Sequence, residues 1–138
     1  MVLQLKLVFL TLVCWNILIS YDDCLVLVHG DSQTNMLLSG CDMLFFSQAD
    51  MRSIFYENLN VTLLDLRNQI SNESKHFATS QQDTGEVIIY SMFQCRNYLS
   101  KNDCVACFNT ASTKISTCVS IGARFIYDGC FLRYVHIK

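Results

Sequence analysis

Apolar residues at Phe55, Leu59, Leu63, Leu66 and Ile70 recur at spacings of three and four, which puts them on one side of a helix. The stretch 55–70, FYENLNVTLLDLRNQI, is therefore predicted to be an amphipathic helix with one buried face. Residues 71–86, SNESKHFATSQQDTGE, are polar and without period, and predict a loop. His76 in that loop has no evident partner and is expected to be solvated. Residues 87–95, VIIYSMFQC, are β-branched and aromatic and predict a strand.

Ser100 with Asp103 three residues on has the form of a helix N-terminus, with Ser100 as the cap. The second helix is predicted from about 101 to 116, with Val105, Phe108 and Ile115 as core candidates. Asp128-Gly129 between two aromatic-rich runs predicts a hairpin of strands 122–127 and 130–136. Residues 36–46, MLLSGCDMLFF, supply a further strand. Strands and helices are segregated rather than alternating, which predicts an α+β fold with an antiparallel sheet. The chain has no proline, no internal repeat and no low-complexity linker, as expected of one compact unit.

The 51% apolar content is inflated by the charge-free run LVFLTLVCWNILIS at 7–20, which follows Lys6. A membrane span takes roughly 20 apolar residues, so this run has the length of a secretory leader. A buried N-terminal helix and a retained anchor are the rival readings. Val28-His29-Gly30 fits a cleavage site before Asp31, and a cut after Ser20 is the alternative. The cysteines favour the later cut. Of the eight, at 14, 24, 41, 95, 104, 107, 118 and 130, removal of residues 1–30 leaves an even six. Asn60-Val61-Thr62 and Asn72-Glu73-Ser74 are glycosylation sequons, which belong to a secreted chain.

Residues 31–138 carry nine Lys/Arg and ten Asp/Glu, a net charge of −1. No basic patch is visible in that balance, which makes nucleic acid and anionic membrane surfaces poor candidates as partners. No second apolar segment encodes a membrane span. No Gly-rich phosphate loop, nucleophile motif or cofactor motif occurs, so the expectation is a non-enzyme without cofactor.

Chemistry concentrates in CRNYLSKNDCVAC, residues 95–107. Cys104 and Cys107, with Cys118 and Cys130, have the ligand types of a zinc site. Cys104-Val-Ala-Cys107 has redox-motif spacing, but the βαβ context of such motifs is missing. Structural disulfides are the reading that an oxidising compartment favours, and six cysteines allow fifteen pairings.

The C-x8-C-x2-C run, the LLDLR segment at 63–67, Cys41, Cys118 and GARFIYDGCFLRY together resemble the plant ginkbilobin-homologous domain. That domain occurs in secreted antifungal seed proteins, cysteine-rich repeat secretory proteins, cysteine-rich receptor-like kinase ectodomains and plasmodesmata-located proteins. The resemblance covers essentially all of 31–138. It implies a five-stranded antiparallel sheet packed with two helices. It also implies the disulfides Cys41–Cys118, Cys95–Cys104 and Cys107–Cys130, and a secreted, apoplastic location in defence or stress response. Its partner would be a mannose-like glycan or an apoplastic protein. The family's mannose site maps onto Asp42, Arg124 and Val135, where the family has asparagine, arginine and glutamate. Only the arginine matches: Asp42 accepts hydroxyl protons without the amide donors, and Val135 does neither. Receptor and plasmodesmal members carry two copies and a span. The single copy here implies a free secreted form, or a truncated member.

Overall fold

The structure is a computed structural model that describes residues 33–43, 46, 48–118 and 120–137. The leader read at 1–30 lies outside the described residues. Five strands and two helices follow in the order β1 (Met36–Cys41), α1 (Ala49–Asn72), β2 (Phe77–Asp83), β3 (Ile88–Cys95), α2 (Lys101–Ile115), β4 (Gly122–Tyr127) and β5 (Cys130–Ile137). The strands form one antiparallel sheet in the order β1-β4-β5-β3-β2. Helix α1 packs on β2 and β3, and α2 packs on β3, β4 and β5 and against α1.

The buried stripe of α1 is Phe55, Asn58, Leu59, Thr62, Leu63, Leu66 and Ile70, which contains every apolar position that the periodicity predicts. The helix starts six residues earlier than predicted, at Ala49. Two polar side chains sit in the stripe and are satisfied across the interface. Asn58 Nδ2 donates to the Val87 carbonyl at 2.7 Å and to Thr84 Oγ1 at 3.0 Å. Thr62 Oγ1 donates to the Leu59 carbonyl at 2.9 Å and meets Ser91 Oγ at 2.8 Å. Buried polar groups left unpaired would each cost about 1–3 kcal/mol, so these bonds fix the position of α1 on β3.

Strand β2 lies inside the segment predicted as loop. It carries one fully buried apolar residue, Ala78, and is otherwise polar or exposed. It is an edge strand, and polar edges resist pairing with other chains, so its apolar alternation is faint in the sequence. The turn into β3 is set by Gly85, whose φ of +85° is a conformation side chains rarely adopt. Its N–H donates to Asp83 Oδ1 at 2.7 Å. His76 is half-buried rather than solvated, and its Nε2 donates to the Leu99 carbonyl at 2.9 Å. Strand β1 is shorter than the predicted 36–46 and ends at Cys41.

Helix α2 begins as predicted. Ser100 Oγ accepts from the Asp103 N–H at 3.1 Å and donates to Asp103 Oδ2 at 2.6 Å. Phe108 and Ile115 are buried, and Val105 packs half-buried against the core. Phe93 and Phe108 meet edge to face at 5.0 Å between β3 and α2.

The six cysteines of the domain pair as Cys41–Cys118, Cys95–Cys104 and Cys107–Cys130. Cys104 and Cys107 share one face of α2, and Cys95 and Cys130 are cross-strand partners on β3 and β5. Two adjacent bonds therefore fasten the first turns of α2 to two adjacent strands. With Cys118 bound to Cys41, all four sulfurs of the zinc reading, and both of the redox reading, are consumed in disulfides.

Tyr134 is buried among these elements, and its hydroxyl donates to the Ser120 carbonyl at 2.9 Å. Burial pushes its pKa up from 10.0 to about 12. The unfolded chain ionises this hydroxyl near pH 10 and the folded chain does not. Stability is therefore intact below pH 10 and falls on the way to pH 12, by up to about 3 kcal/mol. Denaturant midpoints measured across that window should fall, and Tyr134→Phe should remove this part of the slope. In the core, Leu66→Ala should cost about 2–5 kcal/mol, read as a lowered midpoint at unchanged m-value.

Candidate functional site

Both helices cover one face of the sheet, and burial alternates accordingly. On β4, Ala123, Phe125 and Tyr127 are buried while Arg124 is exposed. On β5, Leu132 and Tyr134 are buried while Arg133 is exposed and Val135 half-buried. The second set projects from the helix-free face.

Register then decides which of these residues meet. Arg124 is the cross-strand partner of Arg133 on β5 and of Gly40 on β1. Gly122 is the partner of Val135. A hollow of about 220 Å3 opens here, with Asp42, Arg124, Arg133 and Val135 among its lining residues. All three positions implied by the resemblance thus fall on one hollow, joined by Arg133.

Two glycines lie against its side chains. The Arg124 side chain lies over Gly40, where an added Cβ would stand in ordinary contact, 3.5 Å from Arg124 Nε. At Gly122 a Cβ would collide with the Asp42 carboxylate. The Asp42 N–H donates to the Gly122 carbonyl at 2.9 Å, which fixes the residue just beyond the end of β1. Cys41, one residue before it, is tied to Cys118.

The donors and acceptors are sharply divided. Arg124 and Arg133 can only donate, and Asp42 when ionised can only accept. Among the described residues, neither guanidinium has an ion pair or hydrogen bond, and Asp42 pairs with neither of them. Val135 supplies an apolar wall. The arrangement can hold a small polar ligand by hydrogen bonds from two guanidiniums and to one carboxylate. It has no nucleophile beside a base. Among the described residues no group of three or more His, Cys, Asp or Glu could hold a metal ion.

Arg133 was not singled out by sequence reasoning. The signal was available in the two-residue period of 130–136, which puts Arg133 and Val135 on the same face. What places Arg133 against Arg124 is strand register, which no local pattern prints. A second hollow of about 370 Å3 lies around Gln94–Asn97 and Gly129–Phe131. Its charged residue, Arg96, is engaged, with Nε donating to the Asp128 carbonyl at 3.1 Å. Asn60 and Asn72 are both exposed on α1, far along the chain from either hollow. No helix of the described residues is long and apolar enough to cross a membrane.

Comparison with known proteins gives the same architecture a family. The salt stress response/antifungal family model matches residues 40–136. Over 62 residues, 44% of this chain, the sequence is 42% identical to cysteine-rich receptor-like protein kinase 42 of Arabidopsis thaliana. Over 125 residues, 85% of this chain, it is 25% identical to putative cysteine-rich repeat secretory protein 21 of the same plant. The tandem DUF26 ectodomain of the Arabidopsis thaliana cysteine-rich receptor-like protein PDLP8 superposes on 74% of this chain, with a TM-score of 0.64 and 25% identity. The matched part is 9% of the kinase, 49% of the secretory protein and 48% of the tandem ectodomain chain, so this chain spans at most about half of each. Its two helices, five-stranded antiparallel sheet, three disulfides and family match together establish that the chain belongs to the salt stress response/antifungal family of cysteine-rich domains.

Proposed function

We propose that this protein is a secreted carbohydrate-recognition domain of plant defence or stress response, acting without catalysis. In this reading residues 1–30 are a cleaved leader, 31–138 form the working domain, and Asn60 and Asn72 carry glycans. The named relatives include secretory proteins and receptor ectodomains, which supports an extracellular site of action. The observation that carries the reading is the convergence of Asp42, Arg124, Arg133 and Val135 on one hollow of the helix-free face. Three of the four are polar groups that do not bond one another, which supports their being open to a hydroxyl-bearing ligand. The ligand is a mannose-like, cell-wall or microbial glycan, bound at Arg124 and Asp42, with Val135 lining rather than bonding.

A second reading has its own observation. The helix-free face also exposes Leu38 and Phe77, at 48% and 52%, with Met92, Ile126 and Phe131 half-buried between them. An apolar face of this kind suits an apoplastic protein partner, as in an interaction module of the receptor or plasmodesmata-located type.

A glycan array separates the two. The proposal expects a bound glycan whose signal falls at least tenfold in Arg124→Ala, the loss of a charge-assisted hydrogen bond. A blank array together with a protein captured through Leu38 and Phe131 would establish the second reading instead.

A further inference from the structure

Arg124 and Arg133 stand directly opposite each other on neighbouring strands, both exposed. Like charges in that position repel and weaken a strand pair. Among the described residues no acidic side chain relieves them, although Asp42 lines the same hollow. The family resemblance calls for an acid at 135, and this chain has valine, so the hollow carries two cations against one anion. A neutral sugar leaves that excess uncompensated.

We infer that the ligand is an acidic glycan, a chain containing uronic acid, whose carboxylate is gripped between Arg124 and Arg133. This rests on the proposal that the hollow binds carbohydrate, and names the sugar's class. The geometry favours it on three counts. Each guanidinium carries the forked donor pattern that matches a carboxylate, and register sets the two on neighbouring strands. Asp42 beside them accepts protons only, and so requires hydroxyl donors on the same ligand. A uronic acid ring presents its carboxylate and its hydroxyls together, and the volume of about 220 Å3 suits one ring with the rest of the chain in solvent. Val135 completes the fit as an apolar wall for a ring face, where a glutamate would repel the carboxylate. The net charge of −1 on residues 31–138 is no obstacle, since the contact is local and screening confines it to about 8 Å at physiological salt.

The test is calorimetric titration of the secreted protein with tetragalacturonate, its methyl ester, mannotetraose and tetraglutamate. Tetragalacturonate should bind, with affinity falling as salt is added. The methyl ester, which keeps the ring and loses the charge, should bind at least tenfold more weakly. Arg133→Gln and Arg124→Gln should each weaken tetragalacturonate by about tenfold or more while leaving the thermal melt intact. Should a variant fail to fold, the acid-to-ester ratio on the native protein still decides. Mannotetraose bound as tightly as the acid, with Arg133→Gln silent, overturns the inference and leaves the carbohydrate reading standing. Tetraglutamate bound equally through both arginines also overturns it, making the pair a general anion site. Binding of none of the sugars brings down the carbohydrate reading and the inference with it.

Discussion

The Cys41–Cys118 disulfide is the bond on which the candidate site depends. Strand β1 lies at the sheet edge, its residues mostly exposed, with β4 as its neighbour in the ladder. The helices pack on β2 to β5. Beyond the β4 ladder, what holds the end of β1 is a covalent link to a cysteine 77 residues on. In the chain-entropy model a loop of that size contributes about 4.5 kcal/mol, more than the two shorter loops, at about 3.4 and 2.7 kcal/mol. Gly40 and Asp42 flank Cys41, so this link also holds one wall of the hollow against Gly122 and Arg124.

The other two disulfides do different work. They clamp α2 to β3 and β5 at adjacent positions and so build the core face. The stretch 95–107 thus serves stability and family membership, and the candidate site lies on the opposite face of the sheet. A sheet covered on one side only leaves a second face free, and here that face mixes apolar residues with an arginine pair. Substitutions on such a surface, like the valine at 135, cost the core little because the core lies on the other side of the sheet.

Much of the fold was legible because it rests on local pattern. The leucine stripe of α1, the Ser100 cap and the Asp128-Gly129 hairpin each follow from residues within a few positions of one another. Strand β2 was not legible, since Ala78 is its only fully buried apolar residue and a polar edge strand has the composition of a loop. The disulfide pairing came from resemblance, because spacing leaves fifteen choices open. Arg124, Asp42 and Val135 were singled out by the same route. Arg133 was missed because its place is made by register across two strands, and its sequence neighbours do not differ from those of any exposed strand arginine.

Hydrogen exchange on a Cys41→Ser/Cys118→Ser double variant tests the account most directly. The account predicts faster exchange at Asp42, whose N–H bonds Gly122, and along β1, while Phe93 and Leu132 in the central strands stay protected. Full protection of β1 in that variant, or equal loss across the whole sheet, would contradict it.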